Sequence, residues 1–177
     1  MRLRIVSVVL VVASTLVLES SSATAGTNGC PAKPFAGSIT RSEDSATGQP
    51  GVGLRGDEVK RGLAFDFGTA RNTTAYLATY ALDPDDLGST IAAPQGEAVV
   101  TIFLRPETGD LAPGKRLKTP RDVITVTVDS GGGAHATTAG ARAKARVLEF
   151  SDDEVCFSID YRDDLQRVKG RVHAVIS

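Results

Sequence analysis

The residues able to do chemistry in this chain are few, and their types restrict what it can be. His135 and His173 are the only histidines, and Cys30 and Cys156 the only cysteines. A copper or zinc centre built from several imidazoles is therefore excluded, and a mixed Cys/His zinc site would need both thiols free. His135 follows Ser130-Gly131-Gly132-Gly133, with Asp122 and Asp129 just upstream. That is raw material for a hydrolase with Ser130 as nucleophile and His135 as base; a flexible hairpin loop would carry the same residues. No serine sits in a strand–turn–helix elbow. The glycine run also lacks the helix N-terminus and loop lysine that a phosphate cradle requires.

Carboxylates fall in three clusters: Asp83, Asp85 and Asp86; Asp152, Asp153 and Glu154; Asp160, Asp163 and Asp164. Two such loops meeting at one end of a domain would offer the oxygen ligands calcium favours. None has EF-hand spacing, and Asp-rich turns are ordinary in hairpins, so calcium is left open and no other cofactor is expected. A paired-carboxylate glycosidase would want aromatic platforms for its sugars, and the chain has no Trp and three Tyr.

Basic residues form the most coherent pattern. Arg142, Lys144 and Arg146 alternate with alanines, and Arg167, Lys169, Arg171 and His173 alternate with Val168, Gly170, Val172 and Ala174. If the two segments lie close in one sheet, their outer faces form a cationic patch able to meet a polyanion or an acidic partner. The competing reading is a solvated face whose charges guard an edge strand, partly neutralised by Asp160 through cross-strand pairs.

These side chains must be positioned by strands. Phe150 to Tyr161 alternates apolar and polar residues around a short acidic turn, the period-two signature of a hairpin with one face in a core. If Phe150 pairs with Val155, strict continuation would turn Arg146 inward, so a β-bulge is predicted near Arg146 and Val147. The last strand runs Val168 to Ile176. Upstream, strands are predicted at Phe35–Thr40, Leu63–Phe67, Thr73–Leu82, Ala98–Arg105 and Asp122–Asp129. Ala98–Arg105, apolar on both faces, is the central candidate. Arg41–Gly56 and Pro106–Pro120, rich in turn residues, read as loops. About eight short strands with long turns give an all-β chain, an antiparallel β-sandwich of Ig-like or jelly-roll-like type.

Met1 to Ala25 has a basic start, an uncharged apolar stretch from Ile5 to Leu18, and Ala23-Thr24-Ala25 before the predicted cut. A cleaved signal peptide over 1–25 leaves a single domain over 26–177. The apolar stretch falls short of the roughly 20 residues a membrane span needs, and no later stretch could span. Two cysteines in an exported chain imply one disulfide, Cys30 with Cys156. Cys156 has opposite parity to Val155, Phe157 and Ile159, so the bridge belongs on the outer face of its sheet, with the segment after Cys30 crossing as a strap. Removing Arg2, Arg4 and Glu19 takes the formal net charge from −1 to −2, which gives no sign of a nucleic-acid binder. The expectation is a secreted or periplasmic, non-enzymatic module that binds a protein or cell-surface polymer, or serves an envelope-associated structural role. The alternative is a hydrolase acting through loop carboxylates or Ser130 and His135.

Overall fold

The structure is a computed structural model describing residues 29–43, 48, 50–66, 71–87, 91–131, 134–135 and 140–177, with side-chain surroundings described for all of these but 66, 86, 134 and 135. The predicted signal segment, 1–25, lies outside them. The strands are β1 (Phe35–Arg41), β2 (Val52–Arg55), β3 (Arg61–Asp66), β4 (Thr73–Ala78), β5 (Val99–Arg105), β6 (Arg116–Lys118), β7 (Val123–Asp129), β8 (Ala134–His135), β9 (Arg142–Phe150), β10 (Glu154–Arg162) and β11 (Gln166–Ile176). A 3-10 turn at Pro84–Asp86 is capped by the Asp83 carboxylate, which accepts from the Asp85 N–H.

The chain is all-β, and its strands form one sheet in the order β6-β9-β10-β11-β3-β4-β5-β7-β8, with β1 and β2 added beside β11. The pairings do not divide the strands into the two facing sheets expected from the sequence. The sheet instead curls into a nearly closed, barrel-like body. The reason lies in β11, eleven residues long. Most of one edge pairs antiparallel with β1, from Arg41 opposite Gln166 to Phe35 opposite Val172. Its last turn of the ladder, Val175 and Ile176, pairs in parallel with Leu63 and Ala64 of β3. That short parallel joint makes one sheet of what alternation alone reads as two.

Alternation packs the interior. Ala143, Ala145 and Val147 of β9, Phe157, Ile159 and Tyr161 of β10, and Val168, Val172 and Ala174 of β11 meet Val100, Ile102 and Leu104 of β5 and Ile124, Val126 and Val128 of β7. Phe35 fits because Gly37 and Gly170 face each other across β1 and β11. A Cβ built on Gly170 would lie 2.6 Å from the Ala36 carbonyl and 2.8 Å from the Phe35 ring. The outer face of β3, β4 and β5 is covered by residues of the β4–β5 connection, in a second cluster that includes Tyr76, Leu82, Ala93 and Val99 with Leu63 and Phe65 packed against it. This explains why β4 is buried at all six positions, and why β5, between β4 and β7, is apolar on both faces.

The predicted bulge is present. Phe150 faces Val155 and Val147 faces Phe157, so Leu148 is the extra residue. It restores the phase that keeps Arg146 outside. Cys30 and Cys156 form the disulfide, their Cα atoms 5.9 Å apart. Cys156 is fully buried on the outer face because the strap from Gly29 to Pro34 crosses over it. The strap is held by the His173 N–H, which donates to the Pro34 carbonyl at 2.9 Å, and by the His173 ring, whose Nδ1 lies 3.1 Å from the Pro31 carbonyl. Glu154 fixes the other ring nitrogen, 2.7 Å from its carboxylate. The disulfide is compatible with an extracellular or periplasmic location. Among the described residues no helix is long and apolar enough to cross a membrane.

Candidate functional site

The two predicted basic segments lie in one sheet, separated only by β10. Arg146 faces Ser158, which faces Arg171; Lys144 faces Asp160, which faces Lys169; Arg142 faces Arg162, which faces Arg167. On the other side of β9, β6 brings Arg116 opposite Arg146 and Lys118 opposite Lys144. The result is three rows across the strands. The first holds Arg116, Arg146 and Arg171, the second Lys118, Lys144 and Lys169, and the third Arg142, Arg162 and Arg167. All nine side chains are exposed, and Asp160 is the only carboxylate within the rows. Among the described residues no ion pair engages any of the nine or Asp160.

The register bears on the edge-guarding reading of this charge. Guarding an edge requires charge on an edge strand. β9, β10 and β11 each have neighbours on both sides, and of the strands supplying the rows only β6 ends the sheet path. Arg116 with Arg146, Lys118 with Lys144, and Arg162 with both Arg142 and Arg167 are like charges placed directly opposite, at Cβ separations of about 5 Å and each destabilising by tenths of a kcal/mol. A surface serving only hydration would gain from mixing signs. Asp160 relieves the middle row alone.

The face is concave. A groove of about 690 Å³ runs over Leu117, Ala145, Ile159 and Gly170, rimmed by Arg116, Lys118, Lys144, Arg146, Lys169 and Arg171. Its lining is mostly carbon, since the long basic side chains lay their stems along the sheet and lift their charged ends to water. The strap closes one end, where Arg171 donates to the Gly29 carbonyl at 3.1 Å. At the other end a depression of about 650 Å³ shares Lys118, Lys144 and Asp160 with the groove and continues to Arg142 and Arg162.

Asp122 holds β6 in place. Its carboxylate accepts from the backbone N–H of Lys118 at 2.8 Å and of Glu107 at 3.0 Å, and from the Arg121 guanidinium at 3.0 Å. Burial acts to raise its pKa, but the hydrogen bonds from Lys118, Glu107 and Arg121 outweigh it and hold the carboxyl below its ordinary value. The Thr119 hydroxyl extends the β6–β9 pairing by accepting from the Ala143 N–H at 2.9 Å. At the β10–β11 turn, Asp163 accepts from the Tyr161 hydroxyl at 2.6 Å, the Gln166 N–H at 2.6 Å and the Leu165 N–H at 2.9 Å. Burial raises its pKa too, and these bonds again bring it below the ordinary value.

The other candidates are placed differently. The Ser130 hydroxyl accepts from the buried Arg41 guanidinium at 2.7 Å, which also donates to the Val128 and Pro50 carbonyls. The Asp129 carboxylate accepts from the Gly131 N–H. The backbone of β8 places His135 opposite Val128, while its side chain lies outside the described surroundings. Asp152 and Asp153 are exposed at a hairpin turn held by Ser151. Among the described residues no group of three or more His, Cys, Asp or Glu side chains is gathered to hold a metal ion.

Sequence reasoning missed Arg116, Lys118 and Arg162. The first two lie in a segment read as loop, where the polar–apolar–polar triplet around Leu117 between Pro113-Gly114 and Pro120 was the available signal. Arg162 sits at the end of β10, one step past the alternating stretch used to define the hairpin. No protein-family model matches the chain, and neither a curated protein sequence nor a solved structure matches it.

Proposed function

We propose that this is an exported, non-enzymatic binding module whose basic face docks a linear acidic polymer of the cell surface. One observation carries the reading: three registered rows of exposed cations on a concave sheet face, set as like-charge pairs and opposed by a single carboxylate. A bound polyanion turns the mutual repulsion of those pairs into attraction and releases its own counterions, which drives binding at moderate salt. The groove lining contains no Phe or Tyr, so it lacks the aromatic platforms on which single-stranded nucleic acids stack their bases. The Cys30–Cys156 bridge and the basic, apolar, small-residue order of residues 1–25 support export.

The test is retention on immobilised heparin, used as a generic linear polyanion, across a salt gradient. The disulfide-intact protein elutes well above 0.15 M salt. Lys144→Glu with Lys169→Glu elutes near the void, and Arg71→Glu, outside the face, elutes like the parent. Equal elution of the parent and the double variant rejects the proposal.

A further inference from the structure

We infer that the polymer is held by phosphate groups, one to each row, with its chain laid along β9 rather than across the sheet; this rests on the reading of the face just given. The direction follows from the shape of the surface. The groove and the depression beyond it share Lys118, Lys144 and Asp160, so together they form one track following the strands from the strap to Arg142 and Arg162. Along that track the cations come as facing pairs: Arg116 with Arg146, Lys118 with Lys144, then Arg142 with Arg162. A pair on neighbouring strands is about 5 Å apart at Cβ and can close on one anion from both sides. Such a two-sided grip suits a tetrahedral phosphate, whose oxygens point in several directions and match the guanidinium fork.

The first two pairs lie on the same side of β9, two residues apart, a step of about 6.8 Å; the third lies on the β10 side, one strand spacing over, a step of about 8.3 Å. Two phosphates joined through a three-carbon diol are six bonds apart, at most about 7.5 Å when extended, because three backbone bonds span 3.80 Å. A phosphodiester chain with a three-carbon bridge therefore matches the first step, and the long Arg142 and Arg162 side chains reach the third phosphate across the short remainder of the second. Asp160 fixes which side of the middle row is used. It faces both Lys144 and Lys169, so an anion between Lys169 and β10 meets a carboxylate, whereas one between Lys118 and Lys144 stands a strand further from it.

The probes are synthetic propane-1,3-diol phosphodiester oligomers with one, three and six phosphates. Polygalacturonate, heparin and an oligothymidylate are compared at matched charge, with binding measured by calorimetry at 50 and 200 mM salt. The three-phosphate oligomer binds at least 100-fold tighter than the single phosphate, and six phosphates add less than tenfold more. Its affinity falls about 20-fold between the two salt concentrations, as expected when three phosphates are neutralised. Lys118→Gln with Lys144→Gln weakens it at least tenfold, while Arg71→Gln leaves it unchanged. Affinity that does not rise from one to three phosphates overturns the inference. So does polygalacturonate or heparin binding as tightly as the oligomer, or an oligothymidylate binding tenfold tighter than it; in these cases the basic-face reading stands. Failure of every polyanion to bind at 50 mM salt overturns both.

Discussion

Removing the Cys30–Cys156 bridge should cost this fold more than any single buried side chain does. The cysteines are 126 residues apart in sequence. In the chain-entropy description a loop of that length restricts the unfolded ensemble by about 5 kcal/mol at 25 °C. That is comparable to the whole stability of many domains, and for a domain of this size it corresponds to a fall in Tm of about 10–20 °C. The folded side of the balance changes less. The strap keeps its hydrogen bonds from His173 to Pro34 and from Arg171 to Gly29, and β1 behind it stays paired with β11 along its length. The loss should therefore appear as an expanded unfolded state, with a larger denaturant slope, and not as a changed native sheet. Urea unfolding followed by far-UV circular dichroism would be run on the oxidised protein, on the reduced protein and on Cys30→Ala with Cys156→Ala. A midpoint for the double variant corresponding to less than about 1 kcal/mol of lost stability would refute the reasoning, since the long-loop term would then be absent.

Other perturbations test the supports of the basic face. Asp163→Asn should lower stability by about 2 kcal/mol at pH 7, because the buried Tyr161 hydroxyl and two backbone N–H groups lose a charged acceptor. Since the Asp163 carboxyl is held below its ordinary value of 3.8, the stability it contributes is present above that pH and is lost as pH falls through the lower folded value; urea titrations should show the acid limb flattened in the variant. Asp122→Ala should release β6 and weaken polyanion retention as much as removing Lys118 does, although Asp122 is itself an anion; stronger retention would refute its positioning role. Gly170→Ala should cost about 1–3 kcal/mol by forcing a methyl against the Ala36 carbonyl and the Phe35 ring, read from the urea midpoint. Arg41→Met should cost about 3 kcal/mol by stranding the Val128 and Pro50 carbonyls it serves, and Arg41→Lys should not restore it because the fork is lost.

The C-terminal half of the fold was legible because its chemistry is monotonous. Ala143, Ala145 and Val147 alternate with arginine and lysine, and only one phase of such a segment can be buried. The bulge followed from the same parity, and its shift to Leu148 reflects the pairing of Val147 with Phe157. The outer-face position of Cys156 was likewise a matter of counting. What alternation could not convey is how sheets join. Val175 and Ile176 bond to β3 in parallel, a contact that leaves no period in the sequence, and without it the strands read as a sandwich. β2 and β6 were lost for another reason: with four and three residues they are too short for periodicity to rise above their Gly, Pro and Lys surroundings. The face was therefore visible in part. Arg142, Lys144, Arg146, Arg167, Lys169 and Arg171 were placed from parity alone, whereas the rows and their like-charge pairing exist only once register is known.

The position of β11 has a consequence for how the chain acquires its structure. Whether it emerges from a ribosome or a translocation channel, N-terminus first, the first strand waits for a distant one, because β1 finds its main partner in β11, more than a hundred residues downstream. Until that strand arrives, β10 has only β9 beside it, β3 lacks its parallel mate, and the strap that carries Cys30 has no His173 to hold it over Cys156. Closure of the body should thus wait on β11 and, with its high proportion of distant contacts, be slow for the chain's size; without β11 the β3–β4–β5–β7 and β9–β10 pairings remain possible but no strand pairing joins them.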